Sequence, residues 1–244
     1  TDFAATPGEG AMAFSVRGQG KGMRWLLAPP RPVDLARVPY LSLRYRATGA
    51  VAQINHPNFG WALTAADILQ APGAQLLEIL NGHPQVNNLG GGGSPGVEAI
   101  WDTVLSSGMT VYGVASDDVH HLKRPGVRQA AGPGRGWVVV RAERLAADAI
   151  LGALARGDFY ASTGVELTGV NATPRDLEVA IKEQSPAKYR VQFVGTNGRL
   201  LRQVETNPAA YEFVGDEGYV RAKVLDSNGA VAWTQPVKVG AGRP

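Results

Sequence analysis

The chain has 244 residues, enough to bury a sizeable core in one large domain or two small ones. Hydrophobic residues make up 44% and charged residues 18%, which excludes a largely disordered chain, and no apolar run approaches the roughly 18 residues that a membrane-spanning helix needs. A net charge of +3, spread along the chain without a basic stripe, argues against nucleic acid as a partner; the absence of cysteine removes disulfides, thiolate ligands and a cysteine nucleophile.

Taken in chain order, three textures follow one another. Residues 1–50 mix Gly and Pro with short β-like runs at 24–28 and 40–45, broken by Pro29, Pro30 and Pro32, and read as two or three strands. Residues 51–164 alternate strand and helix. A short apolar strand at 50–55 precedes Thr64, the expected N-cap of a helix over 65–70. A second strand at 75–80 runs into the loop 81–95, whose glycine-serine run reads as a mobile natural loop, with an engineered linker as the alternative. Apolar residues at 97, 100, 101, 104 and 105 have helical spacing, 110–115 and 137–140 are apolar runs of strand length, and 145–156 is an alanine-rich helix stopped by Gly157. This alternation implies a parallel sheet or part of a (β/α) barrel. From 165 to 244 the pattern is all-β: runs at 177–181, 189–194, 211–213, 219–224 and 231–233, with turns at 196–198 and 227–229, have the spacing of a small sandwich.

Polar residues collect after three of the apolar runs. They are Asn55 and His56, then Glu78, Asn81 and His83, then Asp117, Asp118, His120 and His121. All four histidines lie between positions 56 and 121, a clustering that packing alone does not produce. Side chains at the C-terminal ends of parallel strands converge although distant in sequence, and the carboxylate and imidazole of Asp118 and His120 are donors that a divalent metal needs. His56 precedes Pro57 and is expected in an extended conformation that fixes its ring. Each residue also has a structural reading. Asp118 and His120 suit a strand-end hydrogen-bond network, His56 a turn, His83 and His121 a solvated loop, Asp117 a cap, and Trp61, Trp101 and Trp137 the core or a pocket wall. Beyond the cluster, Lys123, Arg124 and Arg128 belong to a basic loop that could hold a substrate phosphate or simply be solvated.

The runs 53–61, 78–82 and 112–120 resemble the later half of the PHP metallohydrolases, in particular the branch that includes carbamate-hydrolysing CehA/McbA-type enzymes. Residues 157–164 and the sandwich after them resemble that branch's C-terminal part, so the resemblance covers 51–236 with its motifs in order. It implies metal binding by His56 of a His-Pro motif and by Asp118 and His120 of an Asp-x-His motif, and it places Glu78 at a pocket position. The family's opening His-x-His motif has no counterpart, because no histidine precedes residue 51. The implied fold is α/β plus all-β: a partial PHP-like (β/α) barrel over 51–164, a C-terminal β-sandwich over 165–244 and a short N-terminal β region over 1–50. What remains of the family site is one divalent metal (Mn, Zn or Fe) with open water positions. The expected activity is metal-dependent hydrolysis of a small-molecule phosphoester, with carbamate or amide hydrolysis, or a non-catalytic binding role, as alternatives. Glu78 and His121, with His83, are the candidate catalytic groups, none of them assigned as general base, and Lys123, Arg124 and Arg128 are the candidate substrate-binding ones. No nucleic-acid or membrane partner is expected, and the open strand edges of a half barrel point to a homodimer.

Overall fold

The structure is a computed structural model and describes residues 2–8, 11–17, 50–120, 122 and 131–240. The strands expected at 24–28 and 40–45 lie outside the described residues. The chain divides into two units, Thr1–Arg46 and Ala47–Pro244. In the first, β1 (Asp2–Gly8) and β2 (Ala11–Arg17) form an antiparallel pair, with Asp2 opposite Arg17 and Gly8 opposite Ala11.

The second unit opens with the segment that positions the candidate site. β3 (Gln53–Ile54), α1 (Ala65–Leu69), β4 (Leu76–Asn81), α2 (Val97–Ser106) and β5 (Tyr112–Ser116) alternate along the chain, and β3, β4 and β5 lie side by side in parallel. Thr64 caps α1 as expected: its hydroxyl accepts the Asp67 N–H (3.3 Å), and the Asp67 carboxylate accepts the Thr64 N–H (2.8 Å), a reciprocal capping box. α2 covers the run with helical spacing and buries Val97, Ile100, Trp101, Val104 and Leu105. Leu76 to Ile79 of β4 are all buried, as in a parallel strand covered on both faces.

β6 (Trp137–Val140), α3 (Ala147–Arg156) and β7 (Phe159–Ser162) follow. Strands then dominate: β8 (Leu167–Ala172), β9 (Asp176–Ile181), β10 (Tyr189–Gly195), β11 (Arg199–Val204), β12 (Ala209–Glu212), β13 (Gly218–Asp226), β14 (Val231–Thr234) and β15 (Val237–Val239). A seven-stranded antiparallel sheet runs β11-β10-β13-β14-β7-β6, with β15 also on β13, and β12-β9-β8 form a second antiparallel sheet. Leu177, Val179 and Ile181 of β9 share one core with Val191 and Phe193 of β10 and with Val220 and Val224 of β13.

This architecture corrects the expected fold class. The described residues are mostly β, with 38% strand and 15% helix, their sheets are largely antiparallel, and among them there is no closed barrel and no (β/α) barrel. Two features end the parallel arrangement at β5. The Gln235 side chain accepts the Gly113 N–H (2.7 Å) and donates to the Gly113 carbonyl (2.9 Å), so an amide occupies the edge where a further strand would pair. The next strand, β6, pairs antiparallel with β7 instead, Trp137 opposite Ser162. α3 between them ends at Gly157 in the left-handed conformation (φ +78°), where a Cβ would stand 2.5 Å from the Tyr112 ring, so glycine is required twice over. Residue 165, where the sequence texture changes, lies between β7 and β8, and the seven-stranded sheet takes strands from both sides of it. Ala161 of β7 and Trp233 of β14 pack in the same cluster as Trp101 of α2, so the parallel segment and the large sheet share a core.

Candidate active site

Glu78, on β4, is buried at 3% exposure. Its Oε2 accepts the His56 backbone N–H (2.5 Å) and Asn81 Nδ2–H (3.0 Å), and its Oε1 accepts the Ser116 hydroxyl. One carboxylate thereby ties together the ends of β3, β4 and β5, and these three donors are what make its burial tolerable. Asn81, the last residue of β4, extends the network. Its Nδ2 also donates to Asp118 Oδ2 (3.2 Å) and its Oδ1 accepts the His83 N–H (2.8 Å). Its backbone is bracketed by Asn88, which accepts from the Asn81 N–H (2.9 Å) and donates to the Asn81 carbonyl (2.8 Å). Buried Asn58 donates to the Asn87 (3.0 Å) and Pro95 (2.9 Å) carbonyls and so holds both ends of the glycine run. Within that run Gly91 and Ser94 exchange backbone hydrogen bonds (3.0 and 2.9 Å) and close a turn.

The backbone carries strain here. Among the described residues, four that are not glycine have a left-handed φ, and three of them are at this end: His56 (+32°), Trp61 (+58°) and Asp118 (+50°). The expected extended conformation of His56 is corrected by this. Its carbonyl accepts the Phe59 N–H (2.9 Å) to close a turn over Pro57, while Glu78 holds its own N–H. An L-residue in this region costs about 1–2 kcal/mol, and such strain persists where neighbouring bonds over-determine it, most often at functional sites.

The rings form a chain. Phe59 stands edge-on to His56 (5.6 Å between centroids) and to His83 (6.4 Å), and His83 stands edge-on to His120 (5.1 Å). His120 Nε2 lies 3.9 Å from Asp118 Oδ1, with the two side chains 55% and 32% exposed. The base of the loop that leaves β5 is closed by the His120 N–H on the Ala131 carbonyl (2.9 Å). Asp117 reinforces it by accepting the N–H groups of Gly134 (3.0 Å), Arg135 (2.5 Å) and Gly136 (2.9 Å). Burial pushes the Asp117 carboxyl up, but those N–H groups and the Arg135 charge together outweigh it and hold the group below the usual carboxylate range. Asp117 is thus a loop anchor.

Of the residues singled out in the sequence, His56, Glu78, His83, Asp118 and His120 come together, while His121, Lys123, Arg124 and Arg128 lie outside the described residues. Asn58, Asn88 and Ser116 were missed, and Asn81 was noted only as a strand-end polar residue. The Asn-Gly pair closing β4 was their one sequence signal. The donor types suit a divalent ion: a carboxylate, and imidazoles at His56 and His120 whose ring nitrogens take no hydrogen bond among the described residues. They are not drawn into a closed set, since among the described residues no three His, Asp or Glu side chains are grouped to hold a metal; Asp118 and His120 are the pair that face each other. A cavity of about 440 Å³ opens elsewhere, beside Tyr112 at the start of β5, with Phe159, Leu167 and Leu177 in its wall. It contains no histidine, and its Arg156 and Asp158 pair with each other.

No family model matches the chain, and no curated protein or solved structure is significantly similar to it.

Proposed function

We propose that the protein is a metal-dependent hydrolase of phosphoesters, with its site at the C-terminal ends of β3, β4 and β5. The observation that carries this reading is the meeting of His56, Glu78, Asp118 and His120 around Asn81, from three segments far apart in sequence. His56, Asp118 and His120 would hold a divalent ion such as Mn²⁺, Zn²⁺ or Fe²⁺. When bound, that ion supplies Lewis-acid polarisation of a phosphoryl oxygen and acidifies the attacking water. The chain's own residues set the stage. Glu78 uses both oxygens on strand-end donors and so acts as a positioning residue that fixes where His56 stands. Asn81 donates to one oxygen of Asp118 and leaves the other facing His120. Phe59 stands edge-on to His56 and His83 and gives those two rings an apolar flank. Lys123, Arg124 and Arg128 follow this cluster directly in the sequence and supply positive charge for an anionic ester.

The test is turnover of p-nitrophenyl phosphate and bis(p-nitrophenyl) phosphate before and after exhaustive chelation. Hydrolysis should vanish with the metal and return with Mn²⁺ or Zn²⁺, and Asp118→Asn should lower kcat while the far-UV spectrum stays native. Hydrolysis that survives chelation would overturn the reading.

A further inference from the structure

We infer that His83 is not a ligand of this site but a fixed hydrogen-bond donor, presenting an Nε2–H to the oxyanion that develops on the substrate. The inference rests on the hydrolase reading for its catalytic half, and on the ring's own hydrogen bonds for the rest. The Gln85 backbone N–H, which can only donate, reaches His83 Nδ1 at 3.2 Å. A neutral imidazole carries one proton, so an Nδ1 that accepts leaves the proton on Nε2. The lone pair of Nδ1 is then engaged by Gln85, and protonated Nε2 has none to offer a metal. The ring can therefore donate and cannot ligate.

His83 is also held in place. Its backbone N–H donates to Asn81 Oδ1 (2.8 Å), and its carbonyl accepts the Val86 N–H (3.1 Å), closing a turn over Pro84. Its ring stands edge-on to both Phe59 (6.4 Å) and His120 (5.1 Å). The contrast with His56 is informative, because no hydrogen bond among the described residues constrains the nitrogens of that ring, and it is free to ligate. His83 thus holds its ring with a centroid 5.1 Å from that of a candidate ligand, beside the place where negative charge would build up on an ester oxygen during attack. A neutral donor suits this task, since it stabilises charge without a proton being transferred. Removing one such donor typically costs about 10²–10³ in kcat.

Two readouts test this. In the first, long-range ¹H–¹⁵N spectra of ¹⁵N-histidine-labelled protein are recorded without metal and with Zn²⁺, and the His83 signals are identified by their loss in His83→Gln. If that variant does not fold, His56→Gln, His120→Gln and His121→Gln assign His83 by elimination. The neutral ring should show a protonated Nε2 and a bare Nδ1 in both states; a protonated Nδ1, or a Zn²⁺-shifted Nε2, would overturn the inference. In the second, His83→Ala should lower kcat on p-nitrophenyl phosphate about 100-fold with bound metal unchanged, and His83→Gln, whose amide N–H reaches toward the same place, should recover part of it. Loss of metal in His83→Ala, or an undiminished rate, would overturn the donor role. A wild-type chain with no hydrolysis at all would defeat the hydrolase reading and the donor role with it, while the tautomer is read separately.

Discussion

Removing the Asn81 side chain takes one of three donors from buried Glu78 and the anchor from Asp118, and leaves the His83 N–H without its acceptor. Unsatisfied partners of this kind cost about 1–3 kcal/mol, so Asn81→Ala should lower the urea midpoint accordingly. Asp117 predicts a pH effect. Its folded-state pKa lies below the usual value, so its contribution is fully present above the unfolded carboxylate range, about pH 4, and is lost as pH falls through the lowered folded value. The stability gap between wild type and Asp117→Asn should therefore be constant from pH 7 to about pH 5 and narrow on further acidification, followed by urea titration at each pH. The imidazole members of the candidate site stood out in the sequence because histidine is scarce and confined to one stretch of the chain. The amides that organise them did not, since an asparagine after a strand reads equally well as a turn. The conformation of His56 escaped for another reason: the restriction imposed by a following proline is weaker than the pull of Glu78 on its N–H.

α2 is fastened to the large sheet by a buried ionic cluster. Arg221 of β13, 1% exposed, donates to both Asp102 oxygens (2.8 and 2.7 Å) and to Glu98 (2.9 Å), and it lies 4.8 Å above the Trp101 ring. Tyr219 donates to Asp102 (2.8 Å) and Lys223 to Glu98 (2.6 Å). Arg221→Ala would leave Asp102 buried with only Tyr219 to face it, and the expected loss is about 3–5 kcal/mol in denaturant unfolding, far more than for an exposed pair such as Arg144 with Asp148. Because α2 connects β4 to β5, the same change should also loosen the strand ends that carry the site. At this scale α1, α2, β4, β5 and most inner strands were legible, through a capping threonine, a helical stripe and apolar runs. β8 and β11 were not, because both are edge strands whose exposed residues, such as Thr168 and Asn171 or Arg199 and Arg202, break the apolar alternation. The barrel expectation failed because strand–helix alternation looks the same in a barrel and in an open three-stranded sheet. What ends the sheet is Gln235 reaching back to Gly113, a contact across 122 positions that no local pattern announces.

Over the whole molecule, the all-β texture after residue 165 does not mark an independent body. β14 pairs with β13 on one side and with β7 on the other, and β7 in turn carries β6. A fragment of residues 165–244 would leave the β14 edge bare, so it should show no cooperative calorimetric transition, whereas residues 47–244, a single compact unit, should show one. The site likewise belongs to this larger unit and not to a self-standing half barrel. In the proposed function the strand-end cluster takes up a divalent metal through His56, Asp118 and His120. The direct measurement is metal stoichiometry by elemental analysis after loading with Mn²⁺ or Zn²⁺ and desalting, on wild type and on Asp118→Asn, His120→Ala and His83→Ala. The expected result is about one ion per chain in wild type and His83→Ala, and background in the other two. No uptake by the wild type, or undiminished uptake by His120→Ala, would contradict it.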